Sequence, residues 1–158
     1  MLRELTLREL GPADEGALAA LFADNDRPEV TRWFDPFPLT PETARTLSRH
    51  EGRDVYWGAW NGRGLVGFAM VRGWDGDHPE PAYGCLVDRR HQGRGVGRTV
   101  TALVLEQLRE RRVPEVRARV HDDNPASLRM HAAAGFEELE RGAGRVILVA
   151  RPRSLRWS

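Results

Sequence analysis

Residues 87–108 read VDRRHQGRGVGRTVTALVLEQL, with three glycines in five positions, arginines among them, and then an apolar pattern at helical spacing. Each glycine weakens a helix interior by about 1 kcal/mol relative to alanine. A cluster of them at a helix threshold therefore marks a loop whose backbone must bend around something. Val96, Val100, Leu103, Val104 and Leu108 fall at i, i+4, i+7, i+8 and i+12, the stripe of a helix that faces a core. Ahead of the loop, AYGCLVD (82–88) reads as a short strand. A strand, a glycine loop and a helix N-terminus in that order suit a phosphate group. Successive N–H groups can turn inward, and the helix end adds about half a positive charge. Arg94 and Arg98, with Arg89 or Arg90, can supply charge-assisted bonds to the same oxygens.

Two common phosphate loops are excluded by the letters. A Walker loop needs Gly-Lys-Ser/Thr, and all 24 basic residues of the chain are arginine. The dinucleotide fingerprint fails because the third glycine position after Gly93 and Gly95 is Arg98. What remains is Gln92-x-x-Gly95-x-Gly97.

Outward from this loop, the chain parses as one unit. Its 158 residues suffice for one core without staples, and 41% hydrophobic with 30% charged residues is an ordinary globular composition. A net charge of +1 argues against a general nucleic-acid binder. Cys85, the single cysteine, excludes an internal disulfide framework and a cysteine-rich zinc site, so no metal is implied. No stretch approaches the ~18 apolar residues of a membrane span, and MLRELTLREL is too charged for a signal peptide, so no membrane is expected and a cytoplasmic location is.

In the N-terminal LRELTLREL (2–10), Leu2, Leu5 and Leu10 could suit a helix, but Leu5, Leu7 and Glu9 with Thr6 favour a strand running into Gly11-Pro12, and a helix follows with Leu18, Leu21 and Phe22 on one face. DNDRPEVTRWFDPFPLTPE (24–42) carries four prolines and reads as a long loop or broken helix; TPETARTLSRH is a helix capped by Thr40. DVYWGAWN (54–61) and GLVGFAMVR (64–72) are strands joined at Asn61-Gly62, the strongest short hairpin signal. EVRARVH (115–121) alternates as a strand should, NPASLRMHAAAGF is a helix between an Asn124 cap and a Gly135 stop, and FEELER and RVILVAR form a last hairpin. The sum is an α+β domain over 1–150, with 151–158 as a C-terminal tail.

The segment LVDRRHQGRGVGRTV resembles the Arg/Gln-x-x-Gly-x-Gly/Ala pyrophosphate motif of the GNAT superfamily of acyl-CoA-dependent N-acyltransferases. A second signature, NPASLRMHAAAGF, is similar to that family's Asn-x-x-Ala/Ser-x-x-x-Tyr/His-x-x-x-Gly-Phe helix, and the element order matches its fold. The resemblance implies a central mixed, mostly antiparallel sheet of about seven strands flanked by about four helices, with acetyl-CoA as cofactor. By the same resemblance, backbone groups of Leu86 and Val87 hold the pantetheine arm as an added strand. Gln92, Gly93, Arg94, Gly95, Val96, Gly97 and Arg98 hold the pyrophosphate, and Asn124 touches the cofactor arm.

His131 stands where many members carry a tyrosine that protonates the departing thiolate, so it is the implied general acid; packing inside the helix is the alternative. The family's usual base positions fall on Arg119 and Pro81, which leaves Glu80 as first candidate base, followed by His78 and Asp75. Gly84 reads as a bulge that parts the fourth strand from the fifth, with Cys85 beside the slot as a small core residue. For the acceptor, Arg32, Trp33, Phe34, Trp74 and Asp75 on two loops offer stacking walls and polar handles. The implied function is transfer of acetyl directly to a primary amine of a small molecule such as an amino sugar, amino acid or antibiotic. A protein N-terminal or lysine acetyltransferase and a non-catalytic acyl-CoA-binding domain are the alternatives. The last hairpin and the tail offer a surface for a homodimer contact.

Overall fold

Leu5–Glu9 forms strand β1, which a 3-10 turn at Pro12–Asp14 links to helix α1 (Glu15–Asn25). The computed structural model describes residues 5–62 and 64–155, so Leu2 of the expected first strand and the end of the tail lie outside the described residues. The proline-rich segment contributes one helical turn, α2 (Pro28–Thr31), before α3 (Pro41–Ser48). Thr40 caps α3 as its letters predict, its hydroxyl accepting from the Thr43 amide at 3.2 Å. The hairpin β2 (Val55–Asn61) and β3 (Gly64–Arg72) turns at Gly62, whose φ of 63° is the left-handed value that glycine adopts without strain. β4 (Ala82–Val87), α4 (Val96–Glu110), β5 (Val116–His121), α5 (Pro125–Ala134), β6 (Glu137–Gly142) and β7 (Arg145–Ala150) complete the order. Among the described residues no helix is long and apolar enough to cross a membrane.

The seven strands make one sheet in the order β1-β2-β3-β4-β5-β7-β6. Every neighbouring pair is antiparallel except β4 with β5, which are parallel and in register only at Ala82↔Arg117 and Tyr83↔Ala118. The ladder between β3 and β4 runs without a register shift from Gly67↔Val87 to Arg72↔Ala82, so Gly84 is not a bulge. Its missing side chain answers to Met70 instead: a Cβ there would stand 3.0 Å from the methionine methyl.

Helices cover the two faces unequally. On one face α4 buries Val96, Val100, Val104, Leu105 and Leu108 against Trp57, Val71, Val116 and Val146. Leu105 thus takes the place in the stripe expected of Leu103, which is half-buried. On the other face α1 and α3 bury Leu18, Leu21, Phe22, Ala44 and Leu47 against Tyr56, Phe68, Met70 and Leu86. Among the described residues that second cluster holds none of β5, β6 or β7, so α1 and α3 leave that part of the face uncovered. Residues 151–155 are part of the body rather than a free tail. Pro152 is buried, and Leu155 packs on the α4 core over Gly135.

The loop after β4 is tied down by a buried polar pair. Asn25, fully buried at the end of α1, donates to the Leu21 carbonyl at 2.8 Å and to Asp88 at 3.1 Å, and accepts from the Arg89 amide at 2.9 Å. Burial raises the Asp88 carboxyl, but bonds from Asn25 and His91 and the charge of Arg90 outweigh it, and Asp88 stays below the usual carboxylate range. Asn25→Ala removes the donor to Asp88 Oδ1 and the acceptor of the Arg89 amide, while His91 and Arg90 keep Oδ2. The expected loss is about 2 kcal/mol of stability, read from urea unfolding; an unchanged midpoint would show the pair to be dispensable.

Candidate functional site

The glycine loop and the start of α4 form one wall of a cleft of about 660 Å³. Gly93 and Gly95 hold φ of 76° and 78°, the left-handed values that let consecutive amides face one way. The first main-chain bond back into the loop is Thr99 N–H to the Gly95 carbonyl at 3.0 Å. Among the described residues no main-chain carbonyl takes the amides of Gly93 to Arg98, so these donors are available to a ligand at the end of a four-turn helix. Gln92, Val96, Gly97 and Arg98 share the wall; Arg94 is exposed and does not. Across the cleft stand Asn124, Ser127 and Arg129 of the α5 start. Asn124 is also the cap of α5, accepting from the Ser127 amide at 3.3 Å.

The cleft ends where β4 leaves β5. Leu86 and Val87 line it, and past Tyr83 the β5-facing edge of β4 has no strand partner. Gln92 covers part of that edge, its amide donating to the Val87 carbonyl at 3.3 Å. Cys85 lines the cleft with its thiol pushed up by burial, which makes it a weak nucleophile. Behind it the Thr101 hydroxyl donates to the Gly97 carbonyl at 2.7 Å, so the Tyr83 hydroxyl, 2.8 Å away, must donate to Thr101. Burial pushes Tyr83 well above its ordinary value, and its proton is committed inward.

A second cleft of about 860 Å³ adjoins the first. Trp33 and Phe34, just after α2, belong to both walls and mark the junction. Its floor is the uncovered sheet face, with Arg117, Arg119 and His121 from β5 and Arg145 and Ile147 from β7. Glu80 and His78 enter from the loop before β4.

Comparison with known proteins agrees with this geometry. A model of the acetyltransferase (GNAT) domain matches residues 4–137. The chain belongs to that family. The mycothiol acetyltransferase of Thermomonospora curvata is 34% identical over 107 residues, which are 66% of this chain and 29% of that protein. The counterpart from Tsukamurella paurometabola is 31% identical over 83% of this chain and 47% of its own length, so the chain spans less than half of these curated relatives. The GNAT domain of S. lividans PAT superposes with a TM-score of 0.78 at 22% identity, covering 92% of this chain and 89% of that one. AAC(6')-Ib, solved in complex with paromomycin and acetyl-CoA, superposes at 0.74 with 18% identity, over 94% and 93%. At those identities the likeness is one of fold.

Set into this GNAT domain, the residues expected from the letters divide. Leu86, Val87, Gln92, Gly93, Gly95, Val96, Gly97, Arg98 and Asn124 gather on the first cleft, and Trp33, Phe34 and Glu80 on the second. Arg32, Trp74 and Asp75 line neither. The Arg32 guanidinium stacks on the Trp33 ring at 4.1 Å, and Trp74 packs against the α4 core. Asp75 accepts from the Arg53 and Asp54 amides and pairs with His50 at 2.9 Å, and these bonds hold it below its ordinary value. It is a loop staple, unsuited to take a proton.

His131 also stands elsewhere than expected. It is 6% exposed, packs edge-on against Phe136 and Tyr83, and lines neither cleft. Its Nδ1 lies 2.8 Å from the Ser127 carbonyl, and only Nδ1–H can make that bond. In the neutral ring Nε2 then carries a lone pair and no proton to give. Burial, partly offset by that bond, lowers His131 below its ordinary 6.5. Arg129, Arg117, Arg119 and Arg145 are the site residues the letters did not point to; alternation in RARVH hinted at a shared face, not at what covered it.

The His131 ring gives a pH test. The unfolded chain takes up this proton near 6.5, the folded chain only at lower pH, so the contribution is complete above that value. Stability should fall as pH drops from about 6.5 through the lower folded value. In His131→Phe this decline should be shallower while turnover stays within a few-fold of wild type. Urea midpoints against pH, beside steady-state rates, decide it; a hundredfold loss of kcat with intact folding would restore His131 as the acid.

Proposed function

We propose that this domain is an acetyl-CoA-dependent N-acetyltransferase that passes acetyl directly to a primary amine of a small molecule. The observation that carries this is a loop of unclaimed amides, Gly93 to Arg98, on a cleft that runs past a half-unpaired strand into a second cleft. The donor set fits the cofactor. Left-handed glycines and a helix N-terminus suit a diphosphate, Arg98 and Arg129 add charge, and the free edge at Cys85 and Val87 suits an amide-bearing arm. Acetyl-CoA supplies an acetyl group already activated as a thioester.

The chain's own residues then have two tasks. The easier is the leaving group, since a thiol of pKa about 8.5 departs as thiolate near neutrality without a strong acid. No acid needs to be found in His131. The harder is the acceptor, because an alkylammonium near pKa ~10 must lose a proton before it can attack. Glu80 is placed for this on the second cleft, with its carboxylate 3.5 Å from Arg117 and half-exposed. Trp33 and Phe34 at the junction shield the meeting point from water. Residues 5–155 would act as one catalytic unit.

Thiol release from acetyl-CoA, with mass detection of product, across a panel of primary amines tests the proposal. Amine-dependent discharge with acetylated product is expected. Tight coenzyme A binding with no discharge on any amine would instead mark a binding domain, and discharge only on peptides a protein acetyltransferase. Glu80→Gln should lower kcat by roughly a hundredfold with the KM for acetyl-CoA held; an unchanged kcat removes Glu80 as base. Gly95→Ala forces a side chain onto a φ of 78° and should raise that KM about tenfold while kcat at saturation persists.

A further inference from the structure

The second cleft is lined by both signs of charge, with Arg72, Arg117, Arg119 and Arg145 facing Asp35, Asp54, Glu80 and Glu140. Arg72, the last residue of β3, and Arg117 on β5 are both in register with Ala82 of β4, so the three form one row across the sheet. Two strand spacings separate the arginines, about 10 Å, and the residue between them is among the smallest. All three line the cleft, as do Arg119, two residues along β5, and Arg145 opposite His121 on β7. A small residue between two arginines leaves room between their side chains.

These cations are poorly matched within the chain. Arg117 reaches Glu80 and Glu115 only at 3.5 Å, and its Nε is buried without a hydrogen-bond partner among the described residues. Arg72 bonds the Tyr56 hydroxyl and lies over the Phe37 ring at 5.4 Å, and Arg145 donates to His121 Nδ1 at 2.8 Å. Among the described residues neither these two nor Arg119 forms an ion pair with a carboxylate. The nearby Asp54 is occupied, its Oδ1 accepting from the Gly73 and Asp75 amides at 3.0 and 3.1 Å. A buried guanidinium N–H without an acceptor, as at the Arg117 Nε, is uncommon in a native fold and is relieved when a ligand brings the acceptor.

We infer that the acceptor amine carries an oxyanion, a carboxylate or a phosphate, which Arg72 and Arg117 clamp across Ala82 while Glu80 faces the ammonium end. The inference rests on the acetyltransferase reading and narrows its substrate to anionic amines such as amino acids or amine phosphates.

Matched pairs test it: amino acids against their α-amides, and O-phosphoethanolamine against ethanolamine, with thiol release as readout. The anionic member should exceed its neutral partner at least tenfold in kcat/KM, and which pair separates tells carboxylate from phosphate. Arg72→Gln with Arg117→Gln should bring the ratio near one, chiefly through KM. A neutral or polycationic amine that performs as well as the anionic one overturns the inference and leaves the acetyltransferase reading intact. Should no amine discharge the thioester, that reading fails by itself. Calorimetric titration of the coenzyme A-saturated protein with the same pairs then decides the anion site: tighter binding of the anionic members supports it, equal binding overturns it.

Discussion

Between Tyr83 and Val87, strand β4 has a partner on one side only. Its ladder to β3 continues to the end, while its pairing to β5 stops after two residue pairs. Backbone amides and carbonyls left at such an edge are a cost unless water or another chain takes them. Here the edge lies between two helices that cannot close over it. α4 starts at the mouth of the gap and α5 stands beyond it, each presenting its N-terminal end to the same space. The backbone donors that the cleft offers follow from this, because the parting strands and helix ends expose backbone where a continuous sheet would present side chains.

The unequal covering of the sheet has a related origin. Helices α1 and α3 bury a phenylalanine-rich cluster over β2, β3 and β4, and their cover ends there. The Asn25–Asp88 pair binds the end of α1 to the loop that introduces the glycines. The helical layer and the glycine loop are therefore tied by a buried contact, and a shift in α1 would be felt at the first cleft.

Local signals told most of the fold. Asn61-Gly62 placed the hairpin, Thr40 and Asn124 placed two helix starts, and Gly135, with φ 112°, placed a helix end. Each of these depends on residues within a few positions, so one sequence suffices to read them. The glycine loop was legible for the same reason. What failed depends on distant packing. In RARVH the alternation shows that Arg117, Arg119 and His121 share a face, but whether that face meets solvent, core or a ligand is set by where α1 and α3 end. His131 was assigned by its position in a motif, whereas its side chain obeys the Ser127 carbonyl and the Phe136 ring. Loop residues Trp74 and Asp75 looked like ligand handles because their core and amide partners lie far off in sequence or carry no signature.

The two-rung seam between β4 and β5 also bears on how long the folded chain lasts. With so few rungs across it, this seam is the line along which local opening should begin. A ligand lying in that gap supplies the rungs the chain omits and so acts as a splint. A hundredfold excess over its dissociation constant adds about 2.7 kcal/mol to the folded state. The supply of the charged metabolite would then govern the lifetime of the protein against proteolysis as well as the pace of its chemistry.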